Sequence, residues 1–165
     1  MSDLPVEGDL DAVTVFNLLQ THGHLAPMID AGLREQQTTA TQFNALLVLK
    51  AAGSDGLRMG EIGKRLVVTR ANVTGLVDRM ERRGLVSRRD MEDRRATVVN
   101  LTDAGRSLLR DTLPHYSRLI SQLTSGLTER DKRSLVRVLT KLRRELRRQR
   151  RERAGRPARK EKLPE

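Results

Sequence analysis

The sequence predicts a mainly α-helical protein with one small β-hairpin, preceded by a helix-turn-helix. Three observations predict this class. Apolar residues recur at spacings of three and four through most of the chain, as in helices with one buried stripe. Between residues 86 and 101 the pattern changes to two short strand-like runs around a charged turn, the second of them β-branched. Basic charge gathers in that same middle region and again at the C-terminus.

The elements follow in order. Residues 1–8 are expected to be an N-terminal arm. Residues 9–35 read as a helix, with Leu10, Val13, Phe16, Leu19, Leu25, Met28, Ile29 and Leu33 at its apolar positions. Pro27 is expected to kink or break it, since proline lacks an N–H and crowds the carbonyl four residues back. Thr39 and Gln42 have capping-box spacing ahead of the apolar run Phe43–Leu49. Gly53 and Gly56 end that helix. Met59–Leu66 forms a short helix with Ile62 and Leu66 inward, and its start lacks a good cap. Thr69 is a candidate N-cap for the next helix, where Val73, Leu76, Val77 and Met80 form one buried stripe. Gly84 is expected to end it in the left-handed conformation, with Leu85 as the apolar contact after it. Val86–Asp90 and Ala96–Leu101 read as strands around the turn Met91–Arg95. Thr102 caps a helix running to about Leu123, with a bend at Pro114. Thr128 and Asp131 open the last helix, whose seam is Leu135, Leu139, Leu142 and Leu146. Beyond Arg148 the seam stops, and 148–165 is expected to be a disordered basic tail.

Composition narrows the function. The 165 residues carry a net charge of +11, which suggests a polyanionic partner. Residues 1–57 net −5, 58–95 net +5 and 141–165 net +8, so the charge is segregated. Aromatics are 2% of the chain, so the core must be aliphatic. The absence of cysteine removes disulfides, thiolate metal sites and thiol redox sensing. No apolar run approaches the ~18 residues of a membrane span. The acidic N-terminus lacks a signal-peptide pattern. A cytoplasmic protein is the expectation, with no membrane partner. No phosphate-binding glycine loop, nucleophile motif or HExxH appears, so no enzyme is expected.

The middle of the chain carries the functional reading. Residues 59–66, VVTR and 70–83 have helix-turn-helix dimensions. In such motifs the second helix enters the major groove with its N-terminal residues against base edges. With its stripe buried, the second helix turns Ala71, Thr74, Gly75, Asp78 and Arg82 outward, with Asn72 and Arg79 on the flank. Small residues at 71, 74 and 75 let the backbone sit deep in a groove. Arg70 and Asn72 have the donors to read guanine or adenine edges. A surface helix with an ordinary polar face fits the helix alone equally well. The hairpin decides between them, because a two-stranded ribbon after a helix-turn-helix makes a winged helix. An arginine at the tip of such a wing can enter a narrow minor groove. Asp93 beside it cannot favour phosphate, and its role is to hold a neighbouring arginine.

The stretch VTRANVTGLVDRMERRGLVSRRDMEDRRATVVNLTDAG resembles the signature of the MarR family of winged-helix transcriptional regulators. The likeness runs in order from the second helix through Gly-Leu-Val, the Asp-Arg-Arg wing and the Leu-Thr-x-x-Gly helix start. It extends over about residues 10–147. It implies one domain over 9–147, with a DNA-binding winged helix at about 39–101 and dimerisation helices at about 9–35 and 102–147. It implies a homodimeric repressor on a palindromic operator in double-stranded DNA. Leu10, Leu135, Leu139, Leu142 and Leu146 are then candidates for the dimer interface. The DNA-facing set is Thr69, Arg70, Asn72, Thr74, Gly75, Arg79, Arg88, Arg94 and Arg95. By position, Asp78 would pair with Arg95 and leave Arg94 for the minor groove; the choice between these neighbours stays open by one residue. A small-molecule effector of unknown identity is a further expected partner, and no cofactor is expected.

Other features are weaker. His22 and His24, two apart on a helix, point in different directions, and with His115 they make a poor metal site. With Phe16, Phe43 and Tyr116 the only aromatics, a stacking pocket is hard to build. AGRPARK in the tail is similar to an AT-hook. Two other functions fit the same composition: an architectural, nucleoid-associated protein without inducer, and a basic interaction module contacting RNA or an acidic protein.

Overall fold

A computed structural model of the protein describes residues 8–66, 70–90 and 97–155. Its elements are α1 (Leu10–Arg34), α2 (Ala40–Ala52), β1 (Leu57–Arg58), α3 (Met59–Leu66), α4 (Arg70–Arg82), β2 (Val86–Asp90), β3 (Thr97–Leu101), α5 (Asp103–Leu123) and α6 (Glu129–Gly155), with one 3-10 turn at Gly53–Asp55. They divide into two compact units, Met1–Leu123 and Thr124–Glu165, where the sequence suggests a single domain over 9–147.

In the first unit, polar caps set the helix starts. Asp9 accepts from the N–H groups of Asp11 and Ala12 at the head of α1. The capping box at Thr39 and Gln42 is complete, and Asp30 on α1 accepts from the Ala40 N–H at 2.8 Å, tying α2 to α1. The start of α3 has its own device: the Glu61 carboxylate reaches back to the Arg58 N–H at 3.0 Å. Against expectation, α1 runs unbroken through Pro27. Gly23 and Pro27 are both exposed, so the carbonyl that loses its helical donor is left to water.

The sheet has three antiparallel strands in the order β1-β3-β2, one more than the sequence pattern suggests. In the register, Arg88 faces Val99 and Leu57 faces Val99 from the other side. Gly84 has φ +67° and the Leu85 N–H bonds to the Met80 carbonyl, the left-handed cap expected there. Thr102 does double duty: its hydroxyl donates to Gly84 O and accepts from the Gly105 N–H. A Cβ at Gly105 would lie 2.0 Å from the Leu85 carbonyl oxygen, so only glycine lets α5 start this close to the α4–β2 turn.

One aliphatic core holds these elements. Phe43, Leu46 and Leu49 of α2, Ile62 of α3, the Val73–Met80 stripe of α4, Val86, Val99 and Leu109 meet in it. Two of the scarce aromatics are used here, Phe43 and Tyr116, with ring centroids 4.6 Å apart. Thr38, Gln42 and Thr112 are the polar residues buried among the described residues. Gln42 Oε1 accepts from Arg83 at 3.1 Å, which joins the end of α4 to the start of α2.

The second unit is α6 and its cap. Thr128 and Asp131 form the expected reciprocal cap, with Asp131 N–H on Thr128 Oγ1 and Thr128 N–H on Asp131 Oδ2. The Thr128 hydroxyl, and after it the Thr128 N–H, donate to the Asp131 carboxylate and hold it below its ordinary range. The helix does not stop where the apolar seam does. It continues to Gly155, correcting the expectation of a disordered segment from 148. Arg148 bonds to Glu145 and Glu152, three and four residues away, and Gln149 bonds to Glu145. Such i,i+3 and i,i+4 pairs support a helix without an apolar stripe. The Arg-Pro of the AT-hook-like segment, and the residues after it, lie outside the described residues.

Candidate nucleic-acid interface

Helices α3 and α4 form the helix-turn-helix. The stripe of α4 is fully buried, which fixes the rotation of the helix. Ala71, Asn72, Thr74, Arg79 and Arg82 are consequently exposed, and Gly75 is half-buried. A Cβ at Gly75 would sit 3.3 Å from Arg79 Nη1, so the missing side chain is the space over which that guanidinium folds back. The first turn of α4 holds no acidic residue, and the backbone N–H groups there favour an approaching phosphate. Thr69 lies outside the described residues, and the side chain of Arg70 is not described.

Among the described residues, Arg88 fastens the wing strand to α4. Arg88 on β2 donates from Nη2 to Asp78 Oδ1 at 2.5 Å and from Nη1 to Glu81 Oε2 at 2.7 Å. Its backbone N–H donates to Glu81 Oε1 at 3.3 Å. The hydrogen bond to Asp78, then the charges of Glu81 and Asp78, raise the Arg88 pKa against the opposing effect of burial. The sequence reading pairs Asp78 with Arg95; among the described residues its partner is Arg88, on the strand. Arg88, which the same reading counts among the DNA-facing residues, is held here by two carboxylates. Asp93, Arg94 and Arg95 lie outside the described residues.

Sequence reasoning missed Glu81, although a signal was there. Asp78 and Glu81 are three apart on one helix and share a side. Val86 faces the core, and Arg88, two residues on, shares its side of the strand. Lys64 and Arg65 of α3 and Arg89 of β2, which the sequence reading does not single out, are exposed cations as well.

The expected interface residues are on the surface of the single chain. Leu10, Leu135 and Leu146 are exposed, and Leu139 and Leu142 half-buried. On α1, Val15, Phe16, Leu19, Leu25 and Met28 are exposed as well, so most of the apolar stripe of that helix has no cover in one chain. His22 and His24 are exposed, while a His115 ring nitrogen lies 2.8 Å from Gly32 O. No group of three metal-ligating side chains occurs among the described residues. No helix among them is long and apolar enough to cross a membrane.

Comparison with known proteins agrees with this geometry. A model described as MarR family matches residues 36–96. The chain is 32% identical over 111 residues to the transcriptional repressor MprA of Escherichia coli (strain K12), covering 67% of this chain and 63% of MprA. It therefore spans just under two thirds of that relative's length. It is 30% identical over 128 residues to the HTH-type transcriptional repressor YetL of Bacillus subtilis (strain 168), covering 77% of this chain and 75% of YetL. Among solved structures, Sco3205, a MarR family transcriptional regulator from Streptomyces coelicolor in complex with DNA, matches with a TM-score of 0.76. That match is at 26% identity over 82% of this chain and 90% of that one. A winged helix whose second helix, wing and following helix start match in order, and whose relatives align over most of its length, belongs to the MarR family.

Proposed function

We propose that this chain is a sequence-specific, double-stranded-DNA-binding transcriptional regulator, a repressor that acts as a homodimer on a palindromic operator. The observation that carries the reading is the exposed face of α4, small at 71, 74 and 75, next to a wing strand clamped to the same helix through Arg88. A helix with that face can lie deep in a major groove, and a fixed wing sets where the hairpin tip reaches. The relatives named as repressors and the Sco3205–DNA complex support it. The uncovered apolar side chains of α1 and α6 support self-association, and a chromosomal target implies a cytoplasmic location. Repression would follow from occlusion of a promoter.

Release by a small molecule belongs to this reading, with its chemistry unidentified. The cleft between α1 and α5, lined by Gly32, Glu35, His115, Arg118, Leu119 and Gln122, measures about 260 Å³. That is below the ~300–1,000 Å³ of usual ligand pockets, so this cleft by itself offers an effector little room.

A genome-wide binding map tests the function. A few palindromic peaks are expected; broad coverage without a motif would make the protein architectural instead. In titrations with a peak sequence, Asn72→Ala should weaken operator binding by about 1–3 kcal/mol and relax preference at one base position. Equal weakening on scrambled DNA would remove Asn72 from base reading.

A further inference from the structure

The seam of α6 accounts for one side of that helix. The opposite side is unexplained. Arg130, Arg133, Arg137, Arg144, Arg148 and Arg151 recur at spacings of three, four, seven, four and three, with Lys141 filling the longer gap. At about 100° per residue, each of the pairs Leu135–Arg137, Leu142–Arg144 and Leu146–Arg148 is about 200° apart, so the arginines run along the face away from the leucines. All seven cations are exposed. From Arg130 to Arg151 the ridge is about 32 Å long, close to one turn of B-DNA. Within α6 there are twelve Lys/Arg and four Asp/Glu. Two of the four, Glu145 and Glu152, are bonded to Arg148.

Arg148 is taken up by Glu145 and Glu152 and supports the helix, but nothing in folding asks for the other six cations of the ridge. Like charges three and four apart destabilise a helix by a few tenths of a kcal/mol per pair. A face kept only for solubility is served by mixed signs. The choice of arginine over lysine at six of seven positions matches bidentate binding of phosphate.

We propose that this arginine ridge of α6 is a second duplex-DNA contact surface, taking backbone phosphates without reading bases, in addition to the face of α4. Duplex DNA is favoured by three observations. The ridge lies opposite the seam, so covering the seam with a second copy leaves the ridge open. A membrane-surface helix would bury its apolar face and point this ridge into water. The helix has no aromatic residue on which single-stranded bases could stack. The inference stands apart from the operator reading, since phosphate contact needs no sequence preference.

The test uses the full chain and fluorescence anisotropy on two labelled duplexes of about 30 bp, one palindromic peak sequence and one scrambled, across salt from about 50 to 300 mM. The variant is Arg133→Gln, Arg137→Gln, Arg144→Gln and Arg151→Gln together. Glutamine keeps helix propensity, and Arg148 with its carboxylates is left alone. Each lost phosphate contact lowers the slope of log K against log salt by about 0.9. The slope should fall by about 2–4 on both duplexes alike. Circular dichroism checks that the helix persists; if it does not, Arg137→Gln with Arg144→Gln carries the test with about half the change. An unchanged slope on a folded variant overturns the proposal. So does a variant that keeps its DNA slope but no longer sediments with phosphatidylserine vesicles, which would assign the ridge to a membrane. A wild type with no preference between the duplexes would sink the operator reading and leave the ridge standing.

Discussion

Helices α4 and α6 carry the same sequence signal and end differently. In α4, Val73, Leu76, Val77 and Met80 recur at helical spacing, and none is more than 2% exposed. In α6, Leu135, Leu139, Leu142 and Leu146 recur just as regularly, yet Leu135 is 46% and Leu146 53% exposed. Periodicity states which face of a helix is apolar. It does not state what covers that face. For α4 the cover is α2, α3 and the sheet of the same chain. For α6 a single chain leaves Leu135 and Leu146 exposed and Leu139 and Leu142 only half-buried, which is the strongest physical argument for a second copy.

The sharpest way to break this comparison is to cut both helices and read different outcomes. Leu76→Ala removes a fully buried side chain from a packed core and should cost about 2–5 kcal/mol. Denaturant unfolding at several protein concentrations should give the same loss at each. A loss below about 1 kcal/mol would mean that the α4 stripe is loosely packed and that the two helices differ less than their exposures indicate.

In α6 the matching experiment is Leu139→Asp with Leu142→Asp. Charge placed in a seam that a partner must bury should abolish the dimer, while the Met1–Leu123 unit keeps its fold. Sedimentation should report monomers at concentrations where the unaltered chain is dimeric. A retained dimer mass would place the interface elsewhere and remove the reason for the exposed leucines.

A smaller effect separates the wing clamp from a surface ion pair. The Arg88 and Asp78 side chains are 29% and 46% exposed, so solvent screens part of their attraction. A double-mutant cycle with Arg88→Ala and Asp78→Ala should still show coupling of about 1 kcal/mol in stability. The same cycle read on operator affinity should be non-additive, because either change frees the wing. Additive losses in both readouts would mean that Arg88 does not position the hairpin.

What was legible in the sequence was local. Thr39 with Gln42, Thr128 with Asp131, Thr102 and Gly84 all do what their spacing predicts, because each acts through backbone groups within one turn. The hairpin was legible because a charged turn precedes the β-branched run that ends at Leu101 and the Thr102 helix start. Strand β1 was not: two residues are too few to show a period, and its pairing with Thr97–Leu101 bridges about 40 residues of chain. The Arg88 clamp is only half legible: Asp78 and Glu81 share a side of α4, but that this side meets β2 is a tertiary fact. Apolar periodicity understates the length of α6, because the charge spacing Glu145–Arg148–Glu152 continues the helix after that periodicity ends.

The smallest predicted effect concerns that charge spacing, and it sharpens the contrast between a helix held by packing and one held by its own side chains. Glu145 accepts from Arg148 Nε and Nη2 and from Gln149 Nε2. The bond from Arg148, then that from Gln149, bring its carboxyl from the ordinary 4.5 down to about 2. The folded value lies below the unfolded one, so the stabilisation is present above about pH 4.5. It is lost as pH falls from there through about 2. Far-UV ellipticity should be flat from about pH 7 to 5 and then decline. Glu145→Gln should start slightly less helical and decline less, because Arg148 then keeps only Glu152 and that arm of the network no longer titrates. Because the Arg148 and Glu145 side chains are 59% and 42% exposed, added salt should shrink the difference between the two chains. Superimposable profiles would show that these ion pairs do not hold the end of α6, and that its helicity past Leu146 has another cause.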